Sequence, residues 1–230
     1  EDGDPTFDYS YEAAITHDPP YLCPYKIIKH TTKFLRQGIK YNELNREQKE
    51  QLDDEEAIDD ATEVQYEPSQ LGKKVFNLDT EKTILHNLMT NGIKNADGTH
   101  VGKTIIFARS NDHAKIIVET FDKEFPQYGG SFCAMITCKE PRAEQLIDDF
   151  KSIDGSSDLT IAVSVDMLDT GIDIPSVVNL VFNKPVKSYA KFWQMVGRGT
   201  RLCPDLFGPS LHKEYFQIFD HWGNFEYFDE

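Results

Sequence analysis

Short apolar runs alternate with helical patterns over residues 77–219, and this alternation limits the fold more than any other feature of the sequence. The runs are four to six residues long and mostly apolar, as is typical of strands that are buried on both faces. They comprise Ile105–Ala108, Phe132–Ile136, Leu159–Val163, Val177–Phe182 and Glu214–Phe219. Helix-length segments separate most of them, so the sequence predicts an α/β fold with a parallel sheet and helices on both faces.

Helices are predicted between these strands from apolar spacing and from residues that favour helix ends. Asn77 or Asp79 is suited to cap the first helix, and Gly92 to close it. The helices cover residues 77–91, begin at Ser110 or Asn111, run from Pro141 to Lys151, and follow Phe182.

The second half of the chain holds the residues with the clearest chemistry. A polar turn at residues 164–175 separates two apolar runs, and the next helix brings Arg198 and Arg201 onto one face because they are three positions apart. A guanidinium group is always charged, and its planar fork matches phosphate oxygens. Gly197 and Gly199 leave room for another backbone or a ligand. The stretch therefore predicts a phosphate clamp.

Two motifs in this stretch resemble a known family. Residues 164–175 read S-V-D-M-L-D-T-G-I-D-I-P, and residues 194–201 read Q-M-V-G-R-G-T-R. In this order, separated by a strand, they resemble motifs V and VI of superfamily 2 helicases and translocases. The surrounding residues, NKPVKSYAKFWQMVGRGTRL, resemble most closely the motor (R) subunit of type I restriction enzymes, with type III enzymes and related restriction-type ATPases next. The resemblance covers roughly residues 100–220 and implies the second RecA-like motor domain of an ATP-driven DNA translocase.

The resemblance implies a role for five residues around a nucleotide. Arg198 and Arg201 are expected to be catalytic arginine fingers for an ATP molecule that a preceding motor domain holds together with Mg²⁺. Gly171 lets its loop approach the nucleotide, Asp173 contacts the ribose or senses the nucleotide state, and Gln194 links the nucleotide to the DNA. An arginine supplied across an interface is worth about a thousandfold or more in rate, because it neutralises charge that grows on the γ-phosphate.

Double-stranded DNA is the second ligand that the resemblance implies. Ser110 and Asn111 match motif IV, where the amides and the dipole of a helix start favour a phosphate. Ser164 and Thr170 are further candidates for DNA contacts, although Val165 stands where many relatives carry a threonine. An open alternative is that Ser110 and Asn111 only cap the helix.

Structural roles are alternatives for the other candidates as well. A buried salt bridge would explain Arg198 or Arg201, and Asp173 would then serve only to form its turn. Asp166 is interpreted as a structural cap and is left out of the site. The histidines that are interpreted as ordinary surface or packing residues are His113, His212 and His221. Because the ligands of parallel sheets gather where the strands end, we expect all site residues at the carboxyl edge of the sheet.

One segment imitates a phosphate-binding P-loop. Residues 98–104 read G-T-H-V-G-K-T, but Asp97 stands where the first glycine is required, and Lys103 leads directly into an apolar strand instead of a helix. The chain also has no DEAD-like acidic box and no nuclease motif of the D…ExK kind. We therefore expect this chain alone to bind ATP poorly and to hydrolyse none.

The charge distribution limits how the chain can contact DNA. The formal net charge is −15, whereas free-standing nucleic-acid binders are usually basic. Residues 1–101 carry 11 basic and 20 acidic side chains, and residues 102–201 carry 12 and 13. A few local contacts with DNA are compatible with this pattern, and a wide electrostatic footprint is not.

Cysteine spacing and hydropathy indicate the compartment. The four cysteines, Cys23, Cys133, Cys138 and Cys203, show no spacing typical of disulfides or metal sites. We expect reduced thiols in a cytoplasmic protein and no metal ligands. No apolar run approaches 18 residues, so a membrane span is not expected.

The sequence is divided into three parts by composition. Residues 1–36 are interpreted as a connecting segment from a preceding motor domain, in which Tyr25–Leu35 adds a strand to the sheet. Residues 37–76 form an acidic insertion or lid, either a solvated helix or loop or, alternatively, a surface for a basic partner. Residues 77–230 are the second RecA-like helicase domain. The chain lacks an initiator methionine, which favours a fragment of a longer polypeptide.

Partners and competing functions follow from the same resemblance. The expected partners are DNA, the preceding RecA-like domain and a nuclease domain of the same polypeptide, and methyltransferase and specificity subunits. The alternatives are a superfamily 2 repair or remodelling translocase, a type III restriction translocase, or a non-catalytic α/β interaction module.

Overall fold

The main sheet has six strands, all parallel, in the order β1-β8-β7-β4-β6-β5. The computed structural model describes residues 10–29, 39–40, 65–66, 78–165, 167–168 and 172–228. The strands are β1 (Tyr25–Lys29), β2 (Ile39–Lys40), β3 (Gln65–Tyr66), β4 (Thr104–Phe107), β5 (Cys133–Ile136), β6 (Ile161–Ser164), β7 (Asn179–Phe182) and β8 (Phe216–Asp220). β2 and β3 form a separate antiparallel pair.

Helices cover both faces of the sheet, as the sequence predicts. They are α1 (Tyr11–Thr16), α2 (Leu78–Asn91), α3 (Asn111–Glu124), α4 (Ala143–Lys151), α5 (Tyr189–Val196) and α6 (Asn224–Tyr227), with a 3₁₀ turn at Pro126–Tyr128. The apolar sides of α2 and α3 pack on one face, and those of α4, α5 and α6 pack on the other.

Alternation along each strand feeds these two cores. In β4, Ile105 and Phe107 join the core under α4 and α5, whereas Ile106 joins the core under α2 and α3. Because successive side chains point to opposite faces, a strand between two cores must be apolar at almost every position. This explains why the buried strands were recognisable as short apolar runs, and the predicted α/β fold class is confirmed.

The connecting segment contributes an edge strand to this sheet. β1 pairs with β8, and Tyr25 lies opposite Phe216. The predicted strand at Tyr25–Leu35 is therefore confirmed as far as Lys29, and residues 30–35 lie outside the described part. Within the predicted insertion at 37–76, only β2 and β3 belong to the described residues. No helix among the described residues is long and apolar enough to cross a membrane.

A buried polar network ties α2 to the ends of β4 and β7. Oε1 of Glu81 accepts a hydrogen bond from Nε2 of His113 at 3.0 Å, and Oε2 accepts one from Nδ2 of Asn183 at 2.6 Å. Nδ1 of His113 accepts the backbone N–H of Arg109 at 3.2 Å, so Nε2 is the ring nitrogen that carries the proton towards Glu81. All three side chains of the network are at most 2% exposed.

The network keeps a carboxylate charged inside the protein. Burial acts to raise the pKa of Glu81, but His113, the hydrogen bond from Asn183 and the nearby charge of Arg109 outweigh it, so the pKa lies below its ordinary value. The guanidinium of Arg109 stacks on the ring of Trp222 with its carbon 4.4 Å from the ring centroid. Burial lowers the pKa of Arg109 to about 10, which still leaves the group charged at neutral pH.

We expect Glu81→Gln to lower the free energy of unfolding at pH 7 by about 2–3 kcal/mol, because an amide cannot accept both hydrogen bonds. The folded-state pKa of Glu81 lies below its unfolded value, so its contribution is present above about pH 4.5 and is lost as the pH falls through the folded pKa. The difference in the free energy of unfolding between wild type and Glu81→Gln should therefore become smaller as the pH falls. Urea unfolding at several pH values measures it.

Glu119→Gln serves as the matched control, because Glu119 is exposed and its ion pair among the described residues is with Lys115 of the same helix. Its effect should stay within about 0.5 kcal/mol at every pH. If Glu81→Gln lowered the free energy of unfolding by the same amount at every pH, the proposed negative charge on Glu81 would be contradicted.

Candidate functional site

The two predicted arginines lie directly after α5, in a turn that the helix anchors. Phe192, Met195 and Val196 of α5 are fully buried and fix the helix on the sheet. Ser188 caps its start by accepting the N–H of Lys191. The backbone then turns at Gly197, whose N–H donates to the carbonyl of Trp193 at 2.8 Å.

Arg198 is bound by main-chain oxygens. Its Nε donates to the carbonyl of Gln194 at 3.2 Å, and its Nη1 donates to the carbonyl of Ile172. Ile172 belongs to the polar segment before β7, so the arginine connects the two predicted motifs. The side chain of Gln194 itself is exposed on the last turn of α5.

Arg201 is held by a surface ion pair. Its Nε donates to Oδ1 of Asp173 at 3.0 Å, and the two side chains are 57% and 61% exposed. The arrangement brings together two residues that the sequence assigns to one site. Because both groups face solvent, the pair is open to exchange of one partner.

A cavity of about 390 Å³ opens between these groups. Its lining consists of Ile172, Asp173, Gly197, Arg198, Thr200 and Arg201. With two arginines in its lining, the cavity is suited to an anion, and guanidinium forks bind phosphate in a bidentate manner. The geometry therefore fits the phosphate clamp that the sequence predicts.

Lys213 binds the main chain next to this cavity and was not singled out from the sequence. Its side chain is nearly buried, with the residue 3% exposed, and Nζ donates to the carbonyl of Pro175 at 3.0 Å and to that of Gly199 at 2.7 Å. Burial lowers the pKa of Lys213 to about 8, so the amine is mostly charged at pH 7. The N–H of Cys23 adds a bond to the carbonyl of Thr200 at 2.7 Å.

The arginine pair lies at the amino edge of the sheet, and the expectation of a single carboxyl-edge site is wrong for it. β7 and β8 are parallel neighbours, so the chain has to return along α5 before β8 begins. A side chain at Gly199 would lie 2.2 Å from the ring of Phe216, the first residue of β8. The carboxyl edge holds instead the residues after β4 and β6.

At the carboxyl edge, Ser110 and Asn111 start α3. Ser110 is the N-cap, and its Oγ accepts the N–H of His113 at 3.2 Å, as the capping alternative predicts. Asn111 is the first helical residue, and its Oδ1 is buried without a hydrogen-bond partner within the described part of the chain. An unsatisfied acceptor of this kind in a folded protein calls for an explanation.

Ser164 is placed differently from the sequence prediction. It is fully buried at the end of β6, and its Oγ accepts the N–H of Leu168 at 2.9 Å. A direct contact with DNA is inconsistent with that burial, because the hydroxyl serves the turn that follows the strand. Thr170 and Gly171, and also Asp166, lie outside the described residues.

Neither the histidines nor the cysteines form a metal centre among the described residues, where no group of three or more potential ligands comes together. Cys23 and Cys133 are buried, Cys203 is half-buried and Cys138 is exposed, and all four are free thiols. His212 is exposed and lies 3.5 Å from Asp205.

The P-loop imitation is a turn into a strand, as the sequence predicts. Thr104 begins β4, which is buried throughout, and Nζ of Lys103 donates to the carbonyl of Leu159. The amides of residues 98–103 therefore do not belong to a helix start that would bind phosphate.

Comparison with known proteins relates this geometry to a family. The family model described as "Helicase conserved C-terminal domain" matches residues 82–203, just over half of the chain. The "Type I restriction enzyme EcoKI endonuclease subunit" of Escherichia coli (strain K12) is 30% identical over 231 residues. That match covers 95% of this chain but only 18% of the relative.

Two solved structures share the fold. A fragment of a putative HsdR subunit of a type I restriction enzyme from Vibrio vulnificus YJ016 matches with a TM-score of 0.67 and 22% identity, over 99% of this chain and 37% of that one. The ATP-dependent Type ISP restriction-modification enzyme LlaBIII bound to DNA matches with a TM-score of 0.55 and 20% identity, over 93% of this chain and 13% of that one. The RecA-like fold and the resemblance to type I restriction enzymes are thereby confirmed, and the chain belongs to the family of helicase conserved C-terminal domains.

Proposed function

We propose that this chain is the second motor domain of an ATP-dependent DNA translocase in a type I restriction-modification enzyme. In this proposal, Arg198 and Arg201 complete an ATP site whose other half is a preceding RecA-like domain. The observation that carries the proposal is the cavity of about 390 Å³ with both arginines on its wall. The similarity to the EcoKI endonuclease subunit and to an ATP-dependent restriction-modification enzyme supports it.

Arg201 is the better placed of the two for the γ-phosphate. Its ion pair with Asp173 is more than half exposed, and pairs of this kind contribute only about 0–1 kcal/mol. A phosphate that enters the cavity can therefore replace the carboxylate at little cost. Charge-assisted bonds to a phosphate are stronger, and the developing charge of the transition state strengthens them further. Asp173, once released, is free to bind the ribose.

Arg198 has a different part in the same proposal. Its bonds to the carbonyls of Gln194 and Ile172 keep the two motifs together, so that its guanidinium remains at the cavity wall. Gln194 is exposed beside it and is proposed to link the nucleotide to the DNA. Gly171 is proposed to give the loop access to the nucleotide.

The proposal requires ATP and Mg²⁺ to be held mainly by the preceding domain. The phosphate-binding parts of this chain are the arginines, and its only P-loop-like segment leads into β4. The chain alone is thus proposed to be inactive and to contribute to hydrolysis only within the full polypeptide. Positioning and neutralisation of charge are what phosphoryl transfer needs from such a domain.

DNA is proposed to bind at the start of α3. In this proposal the amides of the first turn of this 14-residue helix would hold the phosphate, and an ordered water would satisfy Oδ1 of Asn111, which has no hydrogen-bond partner among the described residues. The net charge of −15 favours a few local contacts of this kind over a broad basic surface. Thr170 is proposed as a further contact.

The proposed assembly extends beyond this chain. It comprises this domain, the preceding RecA-like domain and a nuclease domain in one polypeptide, with methyltransferase and specificity subunits bound to it in the cytoplasm. The acidic residues 37–76 are proposed to be an insertion of this motor domain.

We expect Arg201→Ala in the complete polypeptide to reduce DNA-stimulated ATP hydrolysis about a thousandfold, with ATP binding retained. Steady-state turnover and equilibrium nucleotide binding measure the two effects. Arg201→Lys should be intermediate, because it keeps the charge and loses the fork. Arg142→Ala is the control, since Arg142 is exposed and, in the described part of the chain, forms its ion pair with Glu140 at the surface. Unchanged turnover in a folded Arg201→Ala variant would contradict the proposal and favour a non-catalytic interaction module.

For the DNA contact, we expect Asn111→Ala to raise the Kd of the complete polypeptide for DNA about 5- to 10-fold. That factor corresponds to the loss of one hydrogen bond, whereas stability should change by less than about 0.5 kcal/mol because Oδ1 lacks a partner among the described residues. Fluorescence anisotropy and urea unfolding separate the two quantities. Asn91→Ala, at the end of α2, is the control. Equal Kd values for both variants would remove Asn111 from the DNA surface.

A further inference from the structure

Lys213 is a buried cation that binds the main chain next to the arginine cavity. The residue is 3% exposed, although lysine is rarely buried without a partner. Its ammonium binds two main-chain carbonyls, those of Pro175 and Gly199. Its own backbone N–H donates to the carbonyl of Cys203 at 3.0 Å. The residue thus contacts both segments that form the site.

The carbonyls of Pro175 and Gly199 lie close in the chain to the residues of the proposed site. Pro175 follows Asp173 by two residues, and Gly199 lies between Arg198 and Arg201. One ammonium therefore joins the main chain two residues after Asp173 to the main chain between the two arginines. The bond lengths of 3.0 and 2.7 Å are those of good hydrogen bonds from a charged donor.

The turn that carries the arginines follows the end of α5 and is held by several hydrogen bonds. α5 ends at Val196, and the last carbonyls of a helix lack partners within the helix. The turn is fastened elsewhere by the N–H of Cys23 on the carbonyl of Thr200 and by Arg198 on the carbonyl of Ile172. The ammonium of Lys213 also binds the turn and the Asp173 segment at once, beside the links that Arg198 and Arg201 make to that segment.

We propose that Lys213 is a positioning residue for ATP hydrolysis: its ammonium fixes the turn between Arg198 and Arg201 against the segment of Asp173. The proposal rests on the proposed function, because it assumes that the arginines act on a nucleotide. Lys213 itself does not contact the nucleotide. It holds the Arg201 guanidinium within reach of a phosphate, and displacement of such a group by about 1 Å is enough to cost roughly a hundredfold in rate.

Lys213→Met in the complete polypeptide tests this role, because methionine fills a similar volume and donates no hydrogen bond. We expect kcat for ATP to fall roughly 10- to 100-fold while KM changes less than about threefold, since most nucleotide binding is assigned to the preceding domain. Lys123→Met is the control, an exposed lysine at the end of α3, and should keep wild-type turnover. A kcat within twofold of wild type would overturn the inference.

A double-mutant cycle separates positioning from general destabilisation. In the Arg201→Ala background, Lys213→Met should cause less than about a threefold further loss, because the residue that it positions is already absent. A further loss equal to that in the wild-type background would show that Lys213 acts elsewhere and would overturn the inference.

A second variant keeps the test decisive if Lys213→Met fails to fold. Lys213→Gln retains an N–H donor close to the carbonyls, and we expect a smaller fall in kcat that again disappears in the Arg201→Ala background. Persistence of its full effect in that background would contradict the inference. If Arg201→Ala alone has no effect, the proposed function fails; if it has its effect and both Lys213 variants are silent, only the positioning role fails.

Discussion

Parallel pairing of β7 with β8 is the constraint from which the position of the arginine cavity follows. A parallel neighbour can begin only after the chain has returned to the amino edge, and α5 makes that return. Its end must then pass the start of β8 so closely that Gly199 touches the ring of Phe216. The sheet therefore fixes the path of the arginine turn. Glycine fits at the point of closest approach because a Cβ atom there would clash with the ring of Phe216.

The molecule places two of its polar centres at opposite edges of the sheet. At the carboxyl edge, Glu81 and its hydrogen-bond partners His113 and Asn183 hold the start of α3. At the amino edge, the ammonium of Lys213 holds the turn of the arginines. Both centres bury a charge and satisfy it with hydrogen bonds, which is the condition for keeping a charge inside a protein. In the proposed function, these edges serve DNA and ATP respectively.

Most of the fold was predictable because burial on both faces leaves a plain trace in the sequence. β4 to β7 are apolar runs, and Ser110 at the start of α3 is a capping residue in the sequence and in the structure. That Asp173 and Arg201 belong to one site was predictable only from the resemblance to a family. The structure adds that the two side chains form an ion pair. The notion of a single site edge failed, because spacing along the chain does not reveal the return path of α5.

The remaining hydrogen bonds and the burial of single side chains depend on tertiary structure, which the local sequence does not indicate. Glu81 and Asn183 are 102 positions apart, so their hydrogen bond has no local signal. Lys213 binds main-chain carbonyls 38 and 14 positions away, and a carbonyl is present at every residue. Ser164 has a side chain that suits phosphate, but its burial decides against that role.

A structure of the complete polypeptide with DNA and a γ-phosphate analogue of ATP tests the proposed role of Arg201 most directly. We expect the guanidinium of Arg201 to leave Asp173 and to lie about 3 Å from a γ-phosphate oxygen of the nucleotide that the preceding domain holds. An Arg201 that stays paired with Asp173, with the nucleotide bound and the γ-phosphate out of reach, would contradict it.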